Sequence, residues 1–324
     1  MTPFYHPTSI LVLDDDPLFL ESLDFQFSDE LYCQTFTRPD AALEHLHSQS
    51  TQHPDFGRYF KDCSDLDVNE DGPQGDLLLR LQLSALRSLM DDDTRNQRIS
   101  VAIVDFDMPK MTGVEFCRAI RDLPVKTILL TGKAGLETAI AAFNEGVIDC
   151  FLQKQDANVS SALRREIKRL QEEYFADISN PIKCALALQR SHFGEDPSFT
   201  ELLKEVRESN AIVEHSICAS PPGVMMRDGE GNEFFLLISD MDSAKSRYDA
   251  AEQASAPADM LQLLRTGKAQ AWFPTRGGMY HPRFETDWNR YIWPAQLLPG
   301  SGAWSYSVIR HEPSLEPPLQ ARSA

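Results

Sequence analysis

I-S-V-A-I-V-D-F-D-M-P-K-M-T-G, residues 99–113, is the stretch that decides the fold. The apolar, mostly β-branched run at 101–104 predicts a buried strand, which ends at Asp105 before a Met-Pro turn. Open α/β sheets keep their chemistry at the carboxyl ends of their strands. Asp105 is therefore a candidate functional residue, although a turn or capping aspartate is an alternative explanation of the same pattern.

Another apolar run, at 10–13, ends in three adjacent carboxylates. These are Asp14, Asp15 and Asp16, and Pro17 follows them. Adjacent carboxylates repel one another unless a cation or water shields them, so this run suggests a site for a divalent hard metal. A solvated cap for the helix that begins near Pro17 is the alternative, and it explains one of the three aspartates.

Two later strands also end in polar residues. The run at 126–130 is followed by Thr131, and a last strand presents Phe151 and ends before Lys154. A threonine hydroxyl can hydrogen-bond an anion, and a lysine offers a fixed positive charge to the same anion. Two acids for Mg²⁺, a third acid as nucleophile, and a threonine and a lysine for the phosphoryl oxygens are the parts of an acyl-phosphate site.

Four motifs at these strand ends carry a resemblance to a known family. They read L-V-L-D-D-D-P, V-D-F-D-M-P-K-M-T-G, T-I-L-L-T-G and D-C-F-L-Q-K. On these motifs, residues 8 to about 157 closely resemble the receiver domain of two-component response regulators. The resemblance implies a flavodoxin-like α/β fold with a doubly wound sheet of five parallel strands. It also implies phosphorylation by a sensor histidine kinase or a phosphotransfer protein, with Mg²⁺ as cofactor.

The resemblance assigns expected roles to the site residues. Asp105 would be the phosphorylated residue and, with Asp14 and Asp15, a ligand of Mg²⁺. Asp107 would offer its backbone carbonyl to the same metal. The receiver would catalyse only its own phosphoryl transfer and dephosphorylation.

The remaining roles fall on the later strand ends. Thr131 and Lys154 would complete the catalytic set with Asp105, and Lys154 would pair with the phosphate. Thr131 and Phe151 would form the switch pair, in which the hydroxyl moves toward the phosphoryl group and the ring rotates inward. Both movements would report phosphorylation to the rest of the chain.

Two positions depart from the pattern of the family. Gly132 follows the switch threonine where alanine is usual, and Gln155 follows Lys154 where proline is usual. The first departure predicts a looser loop. The second removes the usual proline bend and leaves the placement of Lys154 open.

An insertion at about 48–97 separates the second predicted helix from the strand that carries Asp105. Its acidic centre at 65–71 alternates oxygen ligands as a calcium loop does, but the required glycine and glutamate are missing, so we predict a solvated loop. Apolar residues at 76–90 predict a helix. This helix either packs on the receiver's own sheet or offers a docking surface for the second domain or a partner.

A long helix is predicted after Lys154, from 158 to about 178, closed by Asn180 and Pro181. Its first turns are expected to pack on the receiver sheet. The apolar stripe continues beyond them, which favours a linker helix that carries the phosphorylation state onward and can pair with its copy in a homodimer. The stripe consists of Val159, Leu163, Ile167, Leu170, Tyr174 and Ile178.

The 324 residues are enough for two domains. We predict the receiver at 1–157, the linker helix at 158–180, an α+β output domain at 181–311 and a disordered tail at 312–324. The elements predicted in the output domain are a helix at 199–213, strands at 224–227 and 233–239, helices at 244–253 and 257–265, and a strand at 304–309.

The net charge and composition of the chain indicate which kinds of partner and which cellular compartment to expect. With 31 basic and 49 acidic residues, the net charge of −18 would repel nucleic acid, so a nucleic-acid partner is not expected. The sequence shows neither a signal peptide nor an apolar stretch long enough to cross a membrane. Six cysteines without a C-x-x-C pair favour a reduced, cytoplasmic protein.

The output domain carries no familiar motif. Phosphate loops, nucleophile elbows, H-E-x-x-H, and cyclase or phosphodiesterase signatures are absent from the sequence, and a helix-turn-helix is hard to place. We therefore predict an output through protein interaction or dimerisation, in a layout loosely similar to quorum-sensing response regulators without a helix-turn-helix.

Two alternatives for the output stay open. One is a receiver-gated domain that senses a small molecule, binds a nucleotide or acts as an enzyme. Its anion-binding loop would contain Arg276, Gly277, Gly278 and Arg283, although turn chemistry explains the glycines equally well. The other alternative is a DNA-binding transcriptional regulator. The aromatic residues around this loop are predicted to be core: Phe273, Tyr280, Phe284 and Tyr291.

Overall fold

The computed structural model describes residues 1–28, 31–50, 57, 59–63, 79–132, 135–188, 193–299 and 304–310. The strands are β1 (Phe4–Tyr5), β2 (Ser9–Leu13), β3 (Tyr32–Phe36), β4 (Phe60–Asp62), β5 (Leu79–Leu81), β6 (Ile99–Asp105), β7 (Lys126–Thr131), β8 (Cys150–Gln153), β9 (Ile212–Ala219), β10 (Pro222–Asp228), β11 (Glu233–Asp240), β12 (Ala269–Ala271), β13 (Ile292–Pro294), β14 (Gln296–Leu297) and β15 (Trp304–Arg310). The helices are α1 (Pro17–Phe27), α2 (Pro39–Ser50), α3 (Ser84–Met90), α4 (Gly113–Ala119), α5 (Leu136–Asn144), α6 (Val159–Ala187), α7 (Pro197–Ser209), α8 (Met241–Gln253) and α9 (Ala258–Arg265).

The first unit is a parallel sheet of five strands in the order β3-β2-β6-β7-β8. Strands β2 and β6 are buried along their whole length, as their continuous apolar runs predict. Separate apolar cores lie on the two faces of the sheet, one with α2, α4 and α5 and the other with α1 and the first half of α6. This strand order is the flavodoxin-like, doubly wound arrangement, so the predicted fold class is confirmed.

The insertion differs from its predicted helix. Residues 79–81 form strand β5, which pairs antiparallel with β4, and the helix is confined to α3. A helix over the whole of 76–90 was therefore wrong, because the pairing partner of β5 lies upstream and is invisible to local periodicity. Residues 76–78 of the predicted helix and the acidic stretch at 65–71 lie outside the described residues.

Helix α3 packs away from the receiver sheet. Leu86 and Leu89 are buried in one core with Val224 and Leu236, which belong to the second unit. Of the two alternatives for this helix, packing on the receiver's own sheet was wrong. The insertion instead supplies part of the second unit's core.

The second unit is built on an antiparallel sheet of six strands in the order β1-β9-β10-β11-β15-β14. Its centre is the predicted hairpin, in which Val224 pairs with Leu236. Strand β9 was missed, because the sequence I-V-E-H-S-I-C-A lacks apolar alternation and its first residues fell in the predicted helix at 199–213. That helix ends at Ser209.

The N-terminus belongs to the second sheet. Phe4 pairs with Ser216 and Tyr5 with His215, so β1 lies beside β9. The predicted domain boundaries assigned residues 1–157 to the receiver, whereas strand β1 lies in the second sheet. The chain thus starts in the second unit, passes through the receiver sheet and returns.

Helix α6 joins the two units. Leu163, Ile167 and Leu170 pack on the receiver sheet, whereas Tyr174 and Ile182 are buried in the core of the second unit. Since the predicted stripe is buried within its own chain, it is not available to pair with a second copy.

The predicted end of this helix at Asn180 and Pro181 was also wrong. The helix continues through Pro181 to Ala187. Ile182 and Leu186, on the turns after the proline, are 0% and 4% exposed, and burial of these side chains offsets the hydrogen bond that proline cannot make.

Pro181→Ala is expected to raise the free energy of unfolding by about 1–3 kcal/mol, because proline inside a helix removes a hydrogen bond and crowds the preceding turn. Chemical denaturation followed by circular dichroism measures the change. Pro197→Ala is the matched control: Pro197 occupies the first turn of α7, where the missing N–H costs nothing. A gain of equal size in the control would contradict the explanation.

The C-terminal part of the second unit has a small core of its own. It contains Phe273, Tyr280, Phe284 and Tyr291, each less than 10% exposed, as predicted for these aromatic residues. The predicted tail at 312–324 lies outside the described residues.

Candidate functional site

The site lies where β2 and β6 end beside each other. Leu13 pairs with Val104, so the next residues, Asp14 and Asp105, emerge at neighbouring strand ends. Asp14 is 1% exposed and Asp105 is 6% exposed. Together with the exposed Asp15, they bring one carboxylate oxygen each to within 4.8 Å of one another. The structure thus brings together the three predicted acids.

Lys154 reaches this cluster from the end of β8. Its Nζ lies 2.6 Å from Oδ2 of Asp14 and 2.7 Å from Oδ1 of Asp105. Its backbone N–H donates to the carbonyl of Thr131, which ties the lysine to the neighbouring strand end. Gln155 in place of the usual proline therefore leaves Lys154 within reach of both acids.

Burial and ion pairing shift the pKa values of Asp105 and Lys154 in opposite directions. Burial raises the pKa of Asp105, and the hydrogen bond and charge of Lys154 offset part of that rise. For Lys154, burial lowers the pKa, but the bonds to Asp105 and Asp14 outweigh burial and the net pKa is raised. The lysine is therefore an ammonium ion at neutral pH and balances the buried acids.

The three aspartates that follow β2 have different roles: one caps a helix, and the other two belong to the acidic cluster. Asp16 caps α1 by accepting a hydrogen bond from the N–H of Leu18. Asp14 accepts from the N–H of Asp16 and keeps its other oxygen on Lys154. The capping alternative thus holds for Asp16 and leaves Asp14 and Asp15 for the cluster.

Asp107 lies on the loop after β6. Its N–H donates to Oδ2 of Asp105 at 3.3 Å, and its side chain is exposed. The carboxylate of Asp107 is thus not part of the buried cluster. Its backbone carbonyl as a ligand of the metal stays a prediction.

Thr131 and Phe151 stand on adjacent strands. Thr131 is fully buried, and its hydroxyl donates to the carbonyl of Gly132 at 2.9 Å. Phe151 is half-buried and meets the ring of Phe143 edge-on at a centroid distance of 6.0 Å. A Cβ added at Gly132 would meet nothing within 4 Å, so the absence of the usual alanine leaves open space beside the threonine.

Two glycines at the site were not singled out from the sequence. A Cβ at Gly113 would clash with the carbonyl of Asp105, and a Cβ at Gly135 would clash with the Thr131 hydroxyl and the ring of Phe106. The signal for Gly113 was present in the K-M-T-G end of its motif. For Gly135 the sequence carries no such signal, because the close approach depends on the neighbouring strand.

The residues present fit a hard divalent cation. Asp14, Asp15 and Asp105 offer carboxylate oxygens, the ligands that Mg²⁺ prefers, in one cluster. The two buried carboxylates share a single ammonium group, so they retain negative charge for a cation to neutralise. The donor set thus matches the predicted cofactor.

Lys154→Met is expected to lower the free energy of unfolding by about 1–3 kcal/mol, because it leaves two buried carboxylates without their shared donor. Mg²⁺ is expected to raise the thermal midpoint of this variant more than that of the wild type, since the cation meets less competing charge. Thermal unfolding with and without Mg²⁺ measures both effects. Lys126→Met removes a lysine far from the cluster and serves as control; an equal response to Mg²⁺ in both variants would contradict the prediction.

The loop at 276–283, the predicted alternative anion site, has arginines in different surroundings. Arg276 is exposed, whereas the Arg283 guanidinium donates to the carbonyl of Pro274 and lies over the ring of Phe284. Gly278 has a φ of +71° and no room for a Cβ against Trp272, so turn geometry explains this glycine. An anion site at this loop stays a prediction.

The fold and this site define a class: flavodoxin-like domains with an acidic cluster and a lysine at the strand ends. The family model of the response regulator receiver domain matches residues 84–163. The first unit of the chain is thus a response regulator receiver domain.

Two known proteins are similar to this chain. It is 32% identical over 99 residues to the transcriptional regulatory protein FixJ of Rhizobium meliloti (strain 1021), a match that covers 29% of this chain and 47% of FixJ. The chain thus aligns with about half the length of that relative. It is also similar to the structure of the Legionella pneumophila response regulator LqsR, at 27% identity and a TM-score of 0.74, over 96% of this chain and 90% of LqsR.

The match to LqsR extends beyond the receiver sheet into the second unit. None of the helices in the described ranges is long and apolar enough to cross a membrane.

Proposed function

We propose that the protein is a cytoplasmic response regulator that accepts a phosphoryl group on Asp105. The donor would be the phosphohistidine of a sensor histidine kinase or phosphotransfer protein. The observation that carries the proposal is the cluster in which Lys154 contacts both Asp14 and Asp105 at the strand ends of a receiver fold. The cysteines, all unpaired, support a reducing compartment.

The proposed chemistry is a single displacement at phosphorus. A carboxylate oxygen of Asp105 forms the new bond to phosphorus, and the bond to the imidazole nitrogen of the donor breaks, leaving that nitrogen with the electron pair. The Lys154 ammonium and the Thr131 hydroxyl would stabilise the oxygens of the transferred group. Asp14, Asp15, Asp105 and the backbone of Asp107 would hold Mg²⁺, which when bound neutralises charge on the same oxygens. Attack by water would later release phosphate and restore the carboxylate.

The proposed route for the signal follows the chain. Lys154 directly follows β8, which ends at Gln153, and Val159 begins α6, so a change at the lysine is close in sequence to the helix that enters the second core. Movement of Thr131 and Phe151 would shift α5 and the start of α6. Because α6 and α3 are both packed in the core of the second unit, their displacement would alter that unit's surface.

The proposed output is protein interaction or dimerisation. Ile140 and Phe143 on α5 are 44% and 47% exposed, and Phe143 touches the switch residue Phe151. An apolar surface coupled to the switch is suited to contact with a second copy or a downstream protein. The similarity to the response regulator LqsR extends over both units, which supports a second unit of the same fold.

The test compares wild type with Asp105→Asn in Mg²⁺, with and without beryllofluoride, a mimic of the aspartyl phosphate. Light scattering after size-exclusion chromatography reports association, and hydrogen exchange reports α3, α5 and α6 separately. We expect beryllofluoride to change exchange in α5 and α6 of the wild type alone. Unchanged exchange and mass in the wild type would overturn the proposed signal route, and equal changes in both proteins would overturn the role of Asp105.

A further inference from the structure

A cavity in the second unit lies far along the chain from the phosphorylation site. Its volume is about 320 Å³, within the range of small-molecule pockets. Helix α8 with the end of β11 forms one wall, and β12 with the start of β15 forms the other. The polar side chains in its lining are those of Ser239, Arg247, Gln270 and Ser305.

Arg247 is a buried cation with no carboxylate in direct contact among the described residues, although the charge of Asp240 acts on it from nearby. It is 8% exposed, its Nη1 donates to the hydroxyl of Ser239 at 2.5 Å, and its guanidinium lies 5.2 Å from the ring of Trp272. Among the described residues it forms no ion pair with a carboxylate; the nearby Asp240 uses its side chain to cap α8. A buried charge without a partner is costly, so the fold maintains this arginine at a loss of stability.

A second buried arginine in this chain, Arg95, provides a comparison, because it forms an ion pair. Arg95 is also 8% exposed, and its guanidinium makes a forked ion pair with Glu214, with a shortest distance of 2.8 Å. Arg95 is thus paired with a carboxylate, whereas Arg247 contacts none within the part of the chain that the structure describes. Arg247 therefore has a guanidinium face that an anionic ligand can pair with.

Gln270 is a second incomplete group in the same cavity. It is 4% exposed, and its amide nitrogen donates to the hydroxyl of Ser305 at 2.7 Å. Its Oε1 is buried and has no hydrogen-bond partner among the described residues. A buried acceptor of this kind calls for a donor, since leaving it unsatisfied costs free energy.

The rest of the lining is apolar and extends to the surface. Leu264, Ala271 and Trp304 contribute to the wall, and Met241 and Leu297 are 72% and 73% exposed. Large apolar side chains with this exposure, beside a cavity that holds a buried charge, are suited to contact the body of an amphipathic ligand.

We propose that this cavity binds a small organic anion. Its carboxylate would pair with Arg247, an O–H or N–H on the same molecule would donate to Gln270 Oε1, and its apolar body would contact Leu264 and Trp304. The inference goes beyond the proposed phosphorylation switch, because it uses none of the receiver's residues. It also places the ligand away from the arginine and glycine loop that the sequence suggested.

Four probes separate the parts of the proposal. Phenyllactate carries the carboxylate, the hydroxyl donor and an apolar ring; phenylpropionate lacks the hydroxyl; methyl phenyllactate lacks the charge; inorganic phosphate lacks the apolar body. Titration of the full chain, followed by calorimetry and by tryptophan fluorescence, reports binding beside Trp272 and Trp304. We expect phenyllactate to bind, and each of the other three to bind at least about tenfold more weakly.

Substitutions test whether Arg247 and Gln270 are the groups that bind the ligand. Arg247→Met is expected to remove the preference for phenyllactate over its methyl ester, and Gln270→Met the preference for phenyllactate over phenylpropionate. Arg247→Lys, which keeps the charge, is expected to retain the charge preference. Thermal unfolding provides an independent readout: without ligand, Arg247→Met is expected to melt at or above the wild-type temperature, whereas Arg95→Met melts below it.

Several results would overturn the proposal. These are binding of none of the four probes, equal binding of phosphate and phenyllactate, or equal binding by wild type and Arg247→Met. A thermal midpoint of ligand-free Arg247→Met well below that of the wild type would show that the arginine is structural. None of these outcomes bears on phosphorylation of Asp105, which is measured separately.

Discussion

The Asp105→Asn protein is expected to gain no phosphoryl group from acetyl phosphate in Mg²⁺, under conditions in which the wild type is labelled. The amide of asparagine has neither the negative charge nor the free oxygen nucleophile that forms the acyl phosphate, so the loss should be complete rather than partial. Intact-mass spectrometry measures the result as the presence or absence of one added phosphoryl group.

Asp107→Asn is the matched control for this experiment. The Asp107 side chain is exposed and only its backbone is expected to serve the site, so the substitution preserves the carbonyl and removes one nearby charge. Labelling is expected to persist in this variant. Labelling of Asp105→Asn at the wild-type extent would show that the phosphoryl group is carried elsewhere.

Glu214→Met is expected to lower the free energy of unfolding by about 3–5 kcal/mol, the range for breaking a buried ion pair on one side. Glu214 is 4% exposed and accepts from Nε and Nη2 of Arg95, and Arg227 lies 3.6 Å away on its other side. Removing the carboxylate would leave Arg95 buried without a counter-ion between the insertion and the second sheet. Urea denaturation measures the change.

Two further variants test whether the loss comes from the unpaired charge. The double variant Arg95→Met with Glu214→Met is expected to recover part of the stability, because it replaces both ions by apolar side chains. Arg118→Met breaks an ion pair with Glu145 whose side chains are more than half exposed, and it is expected to cost less than about 1 kcal/mol. A double variant no more stable than Glu214→Met would argue for lost packing instead.

The receiver site was predictable because its signals are local. An apolar run followed at once by a polar residue marks a strand end, and parallel strands bring their carboxyl ends to one edge of the sheet. Asp14, Asp105 and Lys154 each follow such a run, so their meeting could be predicted without knowing any distance. The short chain between each strand and its site residue leaves little freedom to place the side chain elsewhere.

The predictions failed where a distant partner decided the outcome. Residues 79–81 form a strand because β4 pairs with them, and α6 passes Pro181 because Ile182 and Leu186 find a core. Strand β9 carries polar residues that its neighbours bury, so its sequence lacks the usual strand pattern. The intrinsic secondary-structure propensity of a segment contributes less free energy than burial of its side chains against residues distant in the sequence.

By itself, the sequence determined the doubly wound receiver, the acidic strand ends and the lysine that joins them, since these depend on residues adjacent to buried runs. Only the tertiary structure decided that the N-terminal strand, the insertion helix α3 and the second half of α6 share one core with the output sheet. It alone revealed that Arg247 and Gln270 line one cavity, where, among the described residues, Arg247 contacts no carboxylate and Gln270 Oε1 has no hydrogen-bond donor. Burial and pairing are properties of contacts between distant segments, and no local pattern in the chain encodes them.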